Sequence, residues 1–482
     1  MQPTLLFYDY ETFGTSPSLD RPAQFAAIRT DINLNPIGES EVIYCWPAND
    51  YLPQPEAVLI TGITPQLTYA RGVNEAEFAQ RIHKIFCVPN TCIVGYNNIH
   101  FDDEISRYLF YRNFYDPYSW SWKNQNSRWD LLYVTRACYA LRPNGIKWPK
   151  NEDGFPSFRL ERITQENDIV HRNAHDALSD VYATIRLARL IKSKQPKLYH
   201  FFYAHRHKNK LKKLIKIPHQ QILVYISSIF GKKRGNATCV SPLAWHPYNQ
   251  NALITCDLSK DITSLIALNS EMVSMNVQAA YDAIHEAPDL PLQLIYMNKC
   301  PMIAPAHTLR DTDAQRIGAD LPFYLNNFAR LNQHPEISQN VMQLYKKKPE
   351  HLLSDNVDTQ LYESFFNDAD RHIIDVIRHT PIENTSNLNL IIYDTRIKKL
   401  LFRFRARNFP FSLTSSEKQD WLEYRRNVFH PTYMQEYVKK IHTLYEKYRD
   451  HDDKKILLQD LLEYAKKLTS SLNTNDTLSD YA

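Results

Sequence analysis

Two carboxylates at the end of an apolar run constrain this chain more than any other feature. Leu5-Leu6-Phe7-Tyr8 leads directly into Asp9-Tyr10-Glu11-Thr12. In a strand, side chains at i and i+2 share a face, so Asp9 and Glu11 point the same way. Like charges held together repel, and a divalent cation offsets that cost. Magnesium and manganese favour all-oxygen shells of this kind. The pair reads as one half of a metal-dependent phosphodiester-cleaving site. Acids near a strand also serve as plain turn or edge residues, so this reading depends on acids found further along.

The chain has 482 residues, a length that suggests two to four domains with ample core. Hydrophobic residues make up 43% and charged residues 23%, an ordinary soluble profile. The net charge of +4 says little by itself, because the basic residues are clustered. The seven cysteines form no CxxC pair and no zinc-ligand spacing, which predicts reduced thiols in a cytoplasmic protein. No secretory signal and no apolar run long enough to span a bilayer is present, so no membrane association is expected.

Strands are predicted at Gln24–Arg29, Glu41–Trp46 and Thr91–Tyr96, and a helix at Glu75–Ile82. A helix follows Asn97-Asn98-Ile99-His100-Phe101-Asp102-Asp103, and Ser127–Leu132 leads another through Ala140. A short helix begins at Phe158 and a long one opens at His171. Strands interleaved with helices predict an α/β domain, whose sites gather beyond the strand ends. That domain is cut at residue 195. From 196 to 350 the pattern predicts a β-rich domain with strands at Ile222–Tyr225, Ala252–Cys256 and Gln293–Tyr296 and helical insertions such as 323–347. From 351 to 482 it turns helical, with stretches at about 388–405, 416–428, 431–448 and 453–468 and a polar, frayed end.

Asp102 and Asp180 complete the acidic set, each in an early turn of a predicted helix. With Asp9 and Glu11 they supply four acids from three elements, about what a two-metal phosphodiester site requires. The bland reading makes each helix acid a cap or first-turn residue. His175 lies five residues before Asp180, on the loop or first turn, where a neutral imidazole could take a proton from an activated water. His171 and Asp176 compete with His175, and Asp103 competes with Asp102.

These residues carry a resemblance. Phe7-Tyr8-Asp9-Tyr10-Glu11-Thr12 resembles the first motif of DEDD-type 3′-to-5′ exonucleases, Asn97 to Asp102 the second, and His175-Asp176-Ala177-Leu178-Ser179-Asp180 the third motif of the histidine subclass. Asp20-Arg21-Pro22-Ala23-Gln24-Phe25-Ala26, Phe114-Tyr115-Asp116-Pro117-Tyr118, Asp355-Asn356-Val357-Asp358 and Arg405-Ala406-Arg407-Asn408-Phe409-Pro410 extend the likeness to the bacterial exodeoxyribonuclease I family over nearly the whole chain. The resemblance implies a ribonuclease-H-like α/β nuclease domain, an SH3-like β-rich domain and an α-helical C-terminal domain around a cleft for single-stranded DNA. It implies Asp9, Glu11, Asp102 and Asp180 as ligands of two Mg2+ ions, which Mn2+ can replace, and His175 as general base. It also implies processive degradation from the 3′ end, roles in DNA repair and recombination, and contact with single-stranded-DNA-binding protein. A monomer is expected, because one chain can enclose the cleft.

A nuclease that slides along its strand needs phosphate contacts and stacking aromatics. Basic candidates are Arg206–Lys216, Lys232–Arg234 and Arg396–Arg407. In the last, Arg403, Arg405 and Arg407 alternate with Phe402 and Phe404, a period-two pattern that predicts partly extended chain. Near the acids, Asn97, Asn98 and Phe101 are candidates to hold the terminal nucleotide, beside Glu11, with Arg128 and Arg159 on phosphates. Tyr8, Tyr10, Phe13 and Tyr96 are further stacking candidates, or core. Rival readings are a ribonuclease or oligonucleotide exonuclease of the same superfamily, a proofreading subunit, and a non-catalytic single-strand-binding protein.

Overall fold

The computed structural model describes residues 2–171, 175–218, 221–267, 290–346, 354–388 and 391–472. Arg172, Asn173 and Ala174 of the long helix expected from His171, residues 347–353 around the expected domain cut, residues 389–390 and the polar end from 473 onward, all touched by the expectations above, lie outside that set.

Strand β1 (Thr4–Thr12) sits at the centre of a five-stranded sheet. It pairs antiparallel with β2 (Pro22–Thr30), which carries β3 (Glu41–Tyr44), and parallel with β4 (Thr91–Gly95), which carries β5 (Ser127–Asp130). A strand covered on both faces reads as a near-continuous apolar run, which is why 5–8 is so hydrophobic. Leu5 and Phe7 pack with Trp129, Val181 and Ile185 on one face. Leu6, Tyr8 and Tyr10 pack with Phe25, Phe78, Phe86 and Leu109 on the other. Asp9 and Glu11 continue the face of Leu5 and Phe7, where the helix Ala177–Lys194 packs on β1 and β2.

Two local readings change. Ser127–Asp130 is the fifth strand rather than a lead into a helix; all four residues are buried, and its parallel register with β4 carries no local signal. The long helix starts at Ala177, not His171, because the Asp176 carboxylate caps it by accepting from the Ser179 amide at 3.1 Å.

A second, antiparallel sheet runs in the order β10-β6-β7-β8-β9: β6 Leu223–Ile226, β7 Ala237–Trp245, β8 Ala252–Asp257, β9 Leu292–Tyr296 and β10 Met302–Pro305. Strands β7 and β10 escaped the pattern because each contains a proline; the register shifts between Pro242 and Ala244 at that residue. Within the basic run Arg206–Lys216 the helix is Lys208–Lys212, seated by buried Leu211. Val224, Ile226, Cys239 and Ile254 join the same hydrophobic cluster as Phe7 and Trp129, so one core runs through both sheets.

The C-terminal region is helical, including Asp368–His379, which the pattern missed, and Thr395–Asn408, Ser415–Val428, Pro431–Lys447 and Asp452–Ser470. No described helix is long and apolar enough to cross a membrane. Residues 395–408 are helical throughout, so the extended reading of the alternating arginines was wrong. Their charges, not their periodicity, explain them. Arg407 meets Asp50 at 2.7 Å and Asp358 at 2.6 Å, and Arg403 meets Asp358 at 3.2 Å. Arg21 joins Asp358 at 3.0 Å, while Arg112 grips Glu75 with two N–H donors at 3.0 Å. This buried network ties the first sheet to the helical region. Burial alone would raise the Glu75 carboxyl, but Arg112 and Arg21 hold it at about 2; Arg407 and Arg21 likewise hold Asp358 well below the usual range.

Removing one partner of such a network leaves the others buried and unpaired, so Asp358→Ala should destabilise the fold by about 3–5 kcal/mol, read as a lowered urea midpoint. The depressed Glu75 gives stability that is present above its ordinary carboxylate value of 4.5 and is lost as pH falls toward 2. Melting temperature should therefore drop between pH 4.5 and 2, and Glu75→Gln should flatten that part of the profile.

Candidate active site

The acids meet where β1 outruns its parallel neighbour. Pairing with β4 stops at Phe7↔Val94, which leaves the next inward amides of β1 without a strand partner on that side. Asp102, the first residue of the helix Asp102–Arg112, fills the gap: its Oδ1 accepts the backbone N–H of Tyr10 at 3.1 Å. That bond places Asp102 against the backbone between Asp9 and Glu11. Asp180 arrives from the first turn of Ala177–Lys194. Ligand atoms of Glu11, His175 and Asp180 all lie within 4.8 Å of one another. His175 is exposed, with φ of 68°, in the turn just before the Asp176 cap.

The helix start is locked to the sheet by one amide. Gln24, opposite Glu11 in the β1–β2 register, donates Nε2 to Asp176 at 3.2 Å and accepts the Ala177 N–H at 3.2 Å. Asp176 is thereby committed to structure. The other rivals separate as cleanly. Asp103 points inward, accepting from the Tyr8 hydroxyl at 2.5 Å, from Asn98 Nδ2 at 3.2 Å and from Arg128. His171 is buried, with Nε2 at 2.5 Å from Asp180 Oδ1.

The electrostatics match a site built for cations. Burial first, then the Asp180, Asp102 and Asp176 charges, push the Glu11 carboxyl up to about 8. Burial also raises Asp102 to about 8, against the Tyr10 amide, with Asp103 adding to the rise. Asp9 is driven well above its ordinary value by burial and by Asp102, Glu11 and Asp180. Such a set cannot all ionise without compensating positive charge, and its hard oxygen donors suit a divalent metal.

The remaining nucleotide candidates fare unequally. Asn97 is exposed beside the site, with φ of 68° and its N–H on Asp130 Oδ1 at 3.0 Å. Phe101 is partly buried against the aromatic cluster under β1. Arg159 is exposed immediately before the helix Leu160–Glu166. Asn98 is fully buried, its Nδ2 donating to Asp103 at 3.2 Å. Arg128 is buried, its guanidinium donating to Asp103 and to the Asn298 carbonyl at 2.7 Å. Tyr8, Tyr10 and Phe13 are core, and the Tyr96 hydroxyl donates to the Phe158 carbonyl at 2.6 Å. Of the basic patches, Arg396–Arg407 contributes Arg396, Arg403, Arg405 and Arg407 to ion pairs, while Lys208, Lys210, Lys213, Lys216, Lys232 and Lys233 stay exposed. Gln24 was missed as a site residue, because its role exists only through the strand register.

Family models place three successive units on the chain: an exonuclease model over residues 6–188, an exonuclease I SH3-like domain over 206–347 and an exonuclease I C-terminal domain over 355–468. The exodeoxyribonuclease I of Escherichia coli strain K12 is 52% identical over 467 residues, covering 97% of this chain and 98% of that protein. A zinc-ion-bound form of the E. coli ExoI–ssDNA complex is 52% identical with a TM-score of 0.90, covering 97% of this chain and 100% of the other. An ExoI/SSB-Ct complex is 51% identical with a TM-score of 0.91 at the same coverage. The α/β nuclease sheet, the β-rich second sheet and the helical C-terminal region follow the same three-part plan, and the chain belongs to the exodeoxyribonuclease I family.

Proposed function

We propose that this chain is a 3′-to-5′ exonuclease that processively hydrolyses single-stranded DNA to deoxyribonucleoside 5′-monophosphates, in DNA repair and recombination. One observation carries the reading: four acids from three elements, with His175, converge at the open end of β1. Asp9, Glu11, Asp102 and Asp180 hold two divalent cations, Mg2+ in the cell with Mn2+ as a substitute. When bound, the cations neutralise charge on the scissile phosphate and on the departing 3′ oxygen. His175, exposed at the mouth of the cluster, accepts the proton of the attacking water. Exposed Asn97 and Arg159 and partly buried Phe101 line the approach of the terminal nucleotide.

We divide the chain into a nuclease unit over 1–195, a β-rich unit over 196–350 and a helical unit over 351–482. Exposed lysines of the second unit supply the phosphate contacts that hold the strand. A solved relative with single-stranded DNA and one with SSB-Ct support both ligands for this chain. The working form is a cytoplasmic monomer.

His175→Ala should lower turnover about 10²–10⁴-fold. Its affinity for a single-stranded oligonucleotide, measured by fluorescence anisotropy with chelator present, should stay within two-fold, on the order of 0.4 kcal/mol. Turnover at the original rate would remove His175 from the reaction. Chelation should abolish mononucleotide release, and Mg2+ or Mn2+ should restore it. Matched DNA and RNA oligonucleotides then test the sugar: faster release from RNA would favour the ribonuclease reading.

A further inference from the structure

We propose that His171 is a positioning residue that fixes the Asp180 carboxylate for cation binding. The inference rests on the metal-site reading above and assigns a task to a histidine which that reading leaves idle.

The two histidines beside Asp180 differ in kind. The His175 side chain is exposed, whereas the His171 side chain is only 5% exposed. His171 Nε2 lies 2.5 Å from Asp180 Oδ1, and its Nδ1 lies 3.2 Å from Thr164 Oγ1. Two lone pairs do not approach that closely, so Nε2 carries the proton and donates it to the carboxylate. Thr164 is itself held: it is fully buried, with Oγ1 2.7 Å from the Leu160 carbonyl, and its one hydroxyl hydrogen is shared between that carbonyl and the unprotonated Nδ1. The helix Leu160–Glu166 packs against Ala177–Lys194, so the ring is clamped between the two helices.

The consequence for Asp180 is geometric. A free carboxylate on a helix surface samples several rotamers. One oxygen engaged by a clamped N–H fixes the plane of the group and presents the other oxygen in a single orientation. Ligand atoms of Glu11, His175 and Asp180 lie within 4.8 Å of one another, so the orientation of this carboxylate bears directly on the cluster. Hydrogen-bond partners of ligating carboxylates and imidazoles are the usual means of setting metal affinity, and their loss costs about 10–100-fold. His171 touches no reacting atom in this arrangement; it acts through Asp180.

The test is Mn2+ binding to the full-length chain without DNA, followed by isothermal titration calorimetry. His171→Ala should weaken Mn2+ about 10–100-fold. His171→Gln, whose amide can place an N–H near the site of Nε2, should recover most of the loss. Thr164→Val should weaken Mn2+ by a smaller factor. Unchanged affinity in His171→Ala overturns the proposal, as does a Gln variant no better than the Ala variant. Should His171→Ala fail to fold, the Gln and Thr164 variants decide by the same measure. Asp180→Asn separates the two levels. If it weakens Mn2+ while His171→Ala does not, only the positioning role falls; if neither weakens it, the metal-site reading falls as well.

Discussion

Burying several carboxylates together is the constraint on which this architecture depends. Asp9, Glu11 and Asp102 all sit where burial and mutual repulsion disfavour ionisation. A chain tolerates such a site only if the surrounding frame leaves the acids nowhere else to go. Here β1 lies at the centre of the sheet, with a helix across one face and an aromatic cluster on the other. Backbone geometry then sets the acids. Asp102 is pinned to the Tyr10 amide, and the start of the Asp180 helix is pinned by Gln24. Rigid elements rather than loops carry the backbones of all four carboxylates, which suits a site that must hold cations at fixed separation.

A second electrostatic cluster follows the opposite logic. Around Asp358 and Glu75 the acids are outnumbered by guanidinium groups, and both carboxyls are held ionised. Carboxylates in the first cluster wait for positive charge from outside the chain. Those in the second already have it from Arg21, Arg112, Arg403 and Arg407. The same residue types thus give a metal site in one place and an interdomain fastening in another, and the presence of buried arginine is what separates them.

The sequence made the nuclease sheet and the acids easy to see, because apolar runs and acid spacing are local. It separated Asp102 from Asp103 only by likeness to a motif; the structure does so physically, since Arg128, Tyr8 and Asn98 claim Asp103. What stayed hidden was non-local. Strand β5 is four residues long and depends on its register with β4. Strands β7 and β10 contain proline. The run Arg403 to Arg407 showed its charge but not the acids opposite, which come from residues 50 and 358. Composition cannot distinguish a basic stripe that faces a ligand from one that faces a buried carboxylate.

That stripe has a consequence for how the protein meets a polyanion. Binding to nucleic acid weakens with salt in proportion to the ions exchanged when side-chain cations replace them along the backbone. Guanidinium groups already neutralised inside the fold, such as Arg405 on Glu417 and Arg407 on Asp50 and Asp358, have no part in that exchange. The salt sensitivity of strand binding is therefore written in exposed lysines, those flanking the second sheet together with Lys398 and Lys399, and not in the arginines that share a helix with the latter two.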